Sequence, residues 1–338
     1  LALAVLVVVA AALDRRFRLP EMSLFLQAGA AVLGYRLLAD PGLDWAMNAQ
    51  LIQVLLAFGG TIAAMLAALW MMRDMERPMA RAVAESAAAG LAAILANVLI
   101  TRWLDTGAGG RLESHWGLTL NAMPWLILML MQLYRARLGG TLSRLRQGIA
   151  VLGGLFAGFG VLSAVSFGNP LFSWGPEDIR SLVRGPYLLD TLFIAYALPG
   201  LILLAAALRL PGLGAKLRLG FMGVGAGLVT LYAALEIRRV WQGDWLGASG
   251  VTQGELYTYT LAMMLVGAAL LYQAIAKRSD TLRRIAMAVI GRTVAKVFLL
   301  DASGLTGLTR VVSFAGLGLS LAGLAWLNRW AERAGNKA

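Results

Sequence analysis

A chain of 338 residues with 59% hydrophobic and only 14% charged side chains is not a soluble globule, in which about 25% of residues carry charge. Its net charge of +12 would suggest nucleic acid in a soluble protein, but here the positive-inside rule accounts for it and no nucleic-acid partner is expected. The absence of cysteine excludes disulfides, thiolate catalysis and Cys-ligated metals; with His115 as the one histidine, no metal or cofactor is expected.

In chain order, eleven apolar segments run over roughly 1–13, 22–39, 47–72, 82–104, 116–134, 147–167, 187–208, 217–241, 255–276, 284–301 and 310–330. Runs this long and continuously apolar read as helices, because barrel strands alternate in polarity. The expected fold class is all-α: a polytopic integral membrane helix bundle of about eleven transmembrane helices, forming one domain over 1–338. The first run is too short to cross ~30 Å of hydrocarbon alone. No basic stretch precedes it and no small-residue cleavage site follows, so it reads as a truncated first helix of a longer chain rather than a signal peptide.

The connections sort by charge. Those after odd-numbered segments hold twenty of the thirty basic residues, from Arg15, Arg16 and Arg18 to Arg329, Arg333 and Lys337 in the tail. Those after even-numbered segments hold nine, with Arg292 inside a segment. The expected topology therefore has a cytoplasmic C-terminus and the Leu1 end outside, in a bacterial inner membrane. Trp45, Trp103, Trp116, Trp174, Trp241, Trp245 and Trp330 fall near segment ends, as interfacial aromatics do. Gly154 and Gly158, and again Gly223 and Gly227, have the spacing that lets helices approach closely. The long outer connection 167–186 contains the turn formers Asn169-Pro170 and Gly185-Pro186, and its middle, 176–183, suits a short amphipathic turn.

Ionisable groups cluster at the outer ends of the last four segments. Glu236, Arg238, Arg239, Glu255, Tyr257, Lys296, Asp301 and Arg310 are the candidate binding residues. A charge in hydrocarbon costs roughly 2.5–3.5 kcal/mol on insertion scales, so each needs a partner. Glu236 and Arg239 are three apart on one helix face, and Glu255 and Tyr259 four apart. Lys296 lies about 7–8 Å deeper than Asp301 along a helix, and a carboxylate among Glu236, Glu255 and Asp301 would neutralise it. The bland reading is a set of ion pairs clamping helices together; the functional one is an outward-facing polar pocket. Elsewhere, Glu85 reads as a snorkelling or helix-terminal charge, His115 as interfacial, and Asn97 and Asn121 as interhelical hydrogen bonders. No P-loop, dinucleotide fingerprint, nucleophile elbow or zinc-protease motif occurs, and no catalytic residue is assigned.

The blocks Leu235-Glu236-Ile237-Arg238-Arg239, Gly254-Glu255-Leu256-Tyr257, Lys296-Val297-Phe298-Leu299-x-Asp301 and Arg310-Val311-x-Ser313-Phe314-x-Gly316-x-Gly318 resemble a bacterial family of multi-pass membrane proteins, domain of unknown function 2339. Asn169-Pro170-Leu171, Gly185-Pro186 and Pro199-Gly200 resemble it as well, so that the likeness is best over 165–331. The resemblance implies a multi-pass membrane protein that in the family carries further N-terminal sequence; it implies no activity. Three functional expectations follow. The first is a non-enzymatic transporter-like or channel-like protein with a charged outward pocket between its last four helices, for a polar or anionic small molecule or envelope component. The second is an integral-membrane enzyme acting on a lipid-linked or envelope substrate, and the third a scaffold of an envelope complex. Membrane lipids are partners in all three.

Overall fold

The computed structural model describes residues 2–40, 42–106, 111–137, 143–173, 175, 178 and 181–297, and positions 311, 315, 318, 319, 322, 323 and 326. Asp301, Arg310, Trp174, Trp330 and most of the eleventh apolar segment lie outside the described residues.

The remaining ten apolar segments are all helices. They are α1 (Ala2–Phe17), α2 (Glu21–Leu38), α4 (Leu51–Met71), α5 (Pro78–Thr106), α6 (His115–Arg137), α7 (Ser143–Val165), α8 (Phe193–Arg209), α9 (Ala215–Gln242), α10 (Gln253–Ala276) and α11 (Asp280–Lys296). A short α3 (Gly42–Asn48) precedes α4. No strand occurs among the described residues. The protein is all-α and polytopic. By length and hydropathy alone, α4, α5, α6, α7, α9 and α10 can each cross a membrane, and α2 with α3 would make a seventh span. At about 1.5 Å per residue the 16 residues of α1 reach only ~24 Å. α11 carries Arg283, Arg284, Arg292 and Lys296, which lower its hydropathy.

Two compact units make up the chain: Leu1–Glu236 with Asp244–Gly247, and Ile237–Gly243 with Ala248–Ala338. The division falls inside α9. In unit 1, Val7, Leu26, Met65 and Ala84 bring α1, α2, α4 and α5 together. A second core joins α6, α7, α8 and α9 through Met123, Leu126, Ala157, Tyr196, Leu203 and Leu228. The outward sides of these helices are apolar too (Leu162 is 65% and Leu208 75% exposed), as hydrocarbon contact requires.

Small residues set the closest approaches, and of the four motif glycines only Gly154 takes part, where a Cβ would sit 3.0 Å from Met129 Sδ. A Cβ on Gly160 would sit 2.7 Å from Ala122 Cβ on α6, and Gly153 is crowded by the α6 backbone. Gly225 of α9 meets Gly200 of α8, where a Cβ on either would lie 2.8 Å from the other's carbonyl oxygen. Gly158, Gly223 and Gly227 face open space. A four-residue glycine spacing marks a thin helix face, but the neighbour's position decides which glycine is used.

In unit 2, α10 and α11 pack together where Gly267 lets Ile290 approach. Thr252 caps α10, accepting from the Glu255 amide at 3.2 Å, and Ser279 caps α11 from Leu282 at 3.4 Å.

Candidate functional site

Unit 2 gathers three of its side-chain donors around one carboxylate. Glu255 sits in the first turn of α10, where the helix dipole favours an anion, and has no exposed surface. Arg238 Nη1 donates to its Oε1 at 3.1 Å, as does Tyr259 Oη at 3.1 Å. Gln242 Nε2 donates to Oε2 at 3.0 Å. Arg238 and Gln242 are one turn apart on α9, as are Glu255 and Tyr259 on α10, so each helix contributes one face. Arg238 also donates to the carbonyls of Gly250 (3.3 Å) and Ala248. Trp241 Nε1 donates to Thr258 Oγ1 at 3.1 Å, and its ring fills the space beside Gly254 where any side chain would collide.

Lys296 Nζ donates to Thr260 Oγ1 at 2.7 Å and to the Leu256 carbonyl at 3.0 Å. These polar oxygens of α10 help to solvate the ammonium. Tyr257 stands half-exposed on α10, and Arg239 is buried. Asp301 and Arg310 fall outside the described residues.

Glu236 belongs to unit 1. Its Oε1 accepts the Leu188 amide at 2.8 Å, and Tyr232 Oη donates to the Leu188 carbonyl at 2.8 Å. Leu188 has φ 69°, a left-handed conformation costly for a leucine, so these two bonds hold its peptide in place.

The same loop is anchored from beneath by His115, which is fully buried rather than interfacial. Its Nε2 shares a 3.0 Å hydrogen bond with Thr191 Oγ1, which also accepts from the Arg184 amide at 3.1 Å. Glu85 differs from expectation as well. It joins three helices, bound by Arg135 and by Arg146 at 2.9 Å, because the neighbouring helices bring two guanidinium groups to it. Asn97 and Asn121 pair between helices as expected, with Asn97 Nδ2 3.2 Å from Asn121 Oδ1.

Sequence reasoning missed one feature outright. Beside the ends of α6 and α7 lies a half-open pocket of about 500 Å³. Glu113, Asp178, Ser163, Ser173 and Ser181 give it polar walls, and Phe159, Phe167 and Phe172 its apolar ones. Its walls are pinned: Asn169 Oδ1 accepts from the Leu171 amide at 3.0 Å, Trp245 Nε1 donates to Ser173 Oγ at 2.6 Å, and Ser181 Oγ donates to the Asp178 carbonyl at 2.9 Å. Its lining comes from two connections and two helix ends. No single motif reports on it.

Helices of this length and hydropathy, with ionisable groups held inside by side-chain partners, define a multi-pass helical membrane protein. The family model described as Predicted membrane protein (DUF2339) matches residues 1–330, and the chain belongs to that family. The match extends over the early helices as well as over 165–331. No curated protein and no solved structure matches the chain.

Proposed function

We propose that this chain is a non-enzymatic, transporter-like protein of the bacterial inner membrane, with its C-terminus in the cytoplasm, that takes a small polar solute at its outer face. The observation carrying this reading is the cavity beside Asp178. Its volume of about 500 Å³ suits a metabolite-sized ligand, and carboxylates and hydroxyls converge beside phenyl rings. The alternation of basic connections supports an orientation with this end outward. In this reading Arg238, Arg239, Glu255, Tyr257 and Lys296 form the charged group that keeps the helix ends of unit 2 polar, while Glu236 serves unit 1 by holding the Leu188 loop. An enzymatic role has less support, because both Glu255 oxygens already accept hydrogen bonds and the residue has no exposed surface to offer a substrate as general base. The same closure of Glu255 favours a second reading, a scaffold in which the charges act only as a clamp.

The test is a thermal-shift screen of the purified chain against ethanolamine, glucosamine and spermidine, run beside uptake of the same solutes into membrane vesicles. At least one solute is expected to raise the apparent melting temperature and to be taken up, with both effects lost in Asp178→Asn. If no solute does either, the scaffold reading replaces this one. Reporter fusions at the C-terminus should be active only as a cytoplasmic marker; activity as an outer-side marker would reverse the orientation.

A further inference from the structure

We propose that Arg15, Trp70 and Arg73 form a binding site for the phosphate of an anionic phospholipid, at the end of unit 1 where α1 and α4 meet. The inference rests on the proposed orientation only for its sidedness, which is cytoplasmic.

The guanidinium carbon of Arg15 lies 5.0 Å from the centroid of the Trp70 ring, and that of Arg73 lies 5.2 Å from it. Both distances are within cation–π range. Trp70 is 56% exposed, at the end of an apolar helix where an interfacial tryptophan meets lipid headgroups. A guanidinium lying over an aromatic face keeps its N–H edge free, and that edge is the fork that matches phosphate oxygens. Two such forks are held at one ring.

Among the described residues, charge accounting on this end leaves Arg15 without an ion pair and Arg73 with one exposed pair. Asp14, adjacent to Arg15, is almost fully buried and committed to Arg77, which donates from Nε and Nη2 to its two oxygens at 3.1 Å each. Arg15 forms no ion pair among the described residues. Arg73 meets Asp74 at 3.1 Å, but that pair is more than half exposed on both sides and so contributes little. Basic residues at cytoplasmic helix ends attract anionic lipid generally. What separates this site from that background is the shared ring. Arg16 and Arg18, in the same stretch, are exposed and have no aromatic contact among the described residues, so they serve as an internal control.

The experiment uses the full chain in nanodiscs of mixed phosphatidylglycerol and phosphatidylcholine, with retained lipid counted by native mass spectrometry after mild delipidation. Wild type is expected to retain phosphatidylglycerol selectively. Arg15→Gln with Arg73→Gln should lower that retention about tenfold, while Arg16→Gln with Arg18→Gln, an equal loss of charge, should leave it within about twofold. Trp70→Ala should act like the first pair. Arg15→Lys with Arg73→Lys preserves charge and fold, and should lose part of the selectivity by losing the fork. Equal losses in the two Gln pairs, or no preference for phosphatidylglycerol in wild type, overturn the site. Displacement of phosphatidylglycerol by millimolar inorganic phosphate would assign the site to a free anion and overturn the lipid. None of these readouts involves the solute cavity, so the two proposals fail separately.

Discussion

Two buried carboxylates, Asp14 in unit 1 and Glu255 in unit 2, are neutralised in different ways. Asp14 takes a single arginine, bidentate, and Arg77 keeps 22% of its side chain exposed. Glu255 takes an arginine through one oxygen only, and glutamine and tyrosine complete its shell. The difference follows from where each sits. Arg77 lies in the polar connection after α4, where water solvates the rest of its guanidinium. Arg238 is inside a helix with 13% side-chain exposure, so its remaining N–H groups need carbonyls, which Ala248 and Gly250 supply. A buried charge near the membrane surface needs one good partner; one held between helices needs a complete network.

The largest effect should come from Arg238→Met, which leaves the buried Glu255 with only neutral donors and no counter-charge, at a cost of about 3–5 kcal/mol. Its apparent melting temperature in detergent should fall well below that of Arg77→Met. Adding Glu255→Gln to Arg238→Met should restore much of the loss; equal damage from Arg77→Met, or no rescue by the double change, would break the comparison. Next comes Gly225→Val, which drives a side chain into the Gly200 carbonyl and should cost about 1–3 kcal/mol, whereas Gly227→Val faces open space and should be near neutral. Matching losses at the two glycines would show that helix thickness alone, and not this crossing, sets stability. Tyr259→Phe removes one of three side-chain donors to Glu255 and should cost about 0.5–1.5 kcal/mol in the same melts. A loss as large as that of Arg238→Met would make tyrosine the chief partner. The smallest effect concerns pH. The hydrogen bond to Asp14 is the main cause that raises the Arg77 pKa above the ordinary arginine value. A raised basic group contributes stability that is complete below its unfolded pKa and is lost only as pH rises through the folded one. The difference between wild type and Arg77→Met should therefore stay constant from neutral to about pH 10. A difference that shrinks over that range would separate Arg77 from its partner.

The hydropathy pattern located every described helix that the apolar segments imply, because a span must be continuously apolar whatever its neighbours are. It also singled out Glu255 and, through the i, i+4 rule, Tyr259, since both sit on one helix. Gln242 was illegible as a Glu255 donor, because only the packing of α9 on α10 brings it there. His115 shows the same limit: its position beside Trp116 suggests an interface, and burial under the loop carrying Thr191 is decided by tertiary contact. Glu85 looked like a lone helix-end charge until Arg135 and Arg146 arrived from two other helices.

Composition and charge placement by themselves determined the class of this protein, its helices and the residues whose charge demands a partner, because transfer into hydrocarbon is a local cost paid residue by residue. Only the tertiary structure decided which partner each charge takes, which glycines touch, and that a cavity opens beside Asp178. Those outcomes depend on distances between helices far apart in the chain, and no local pattern encodes them.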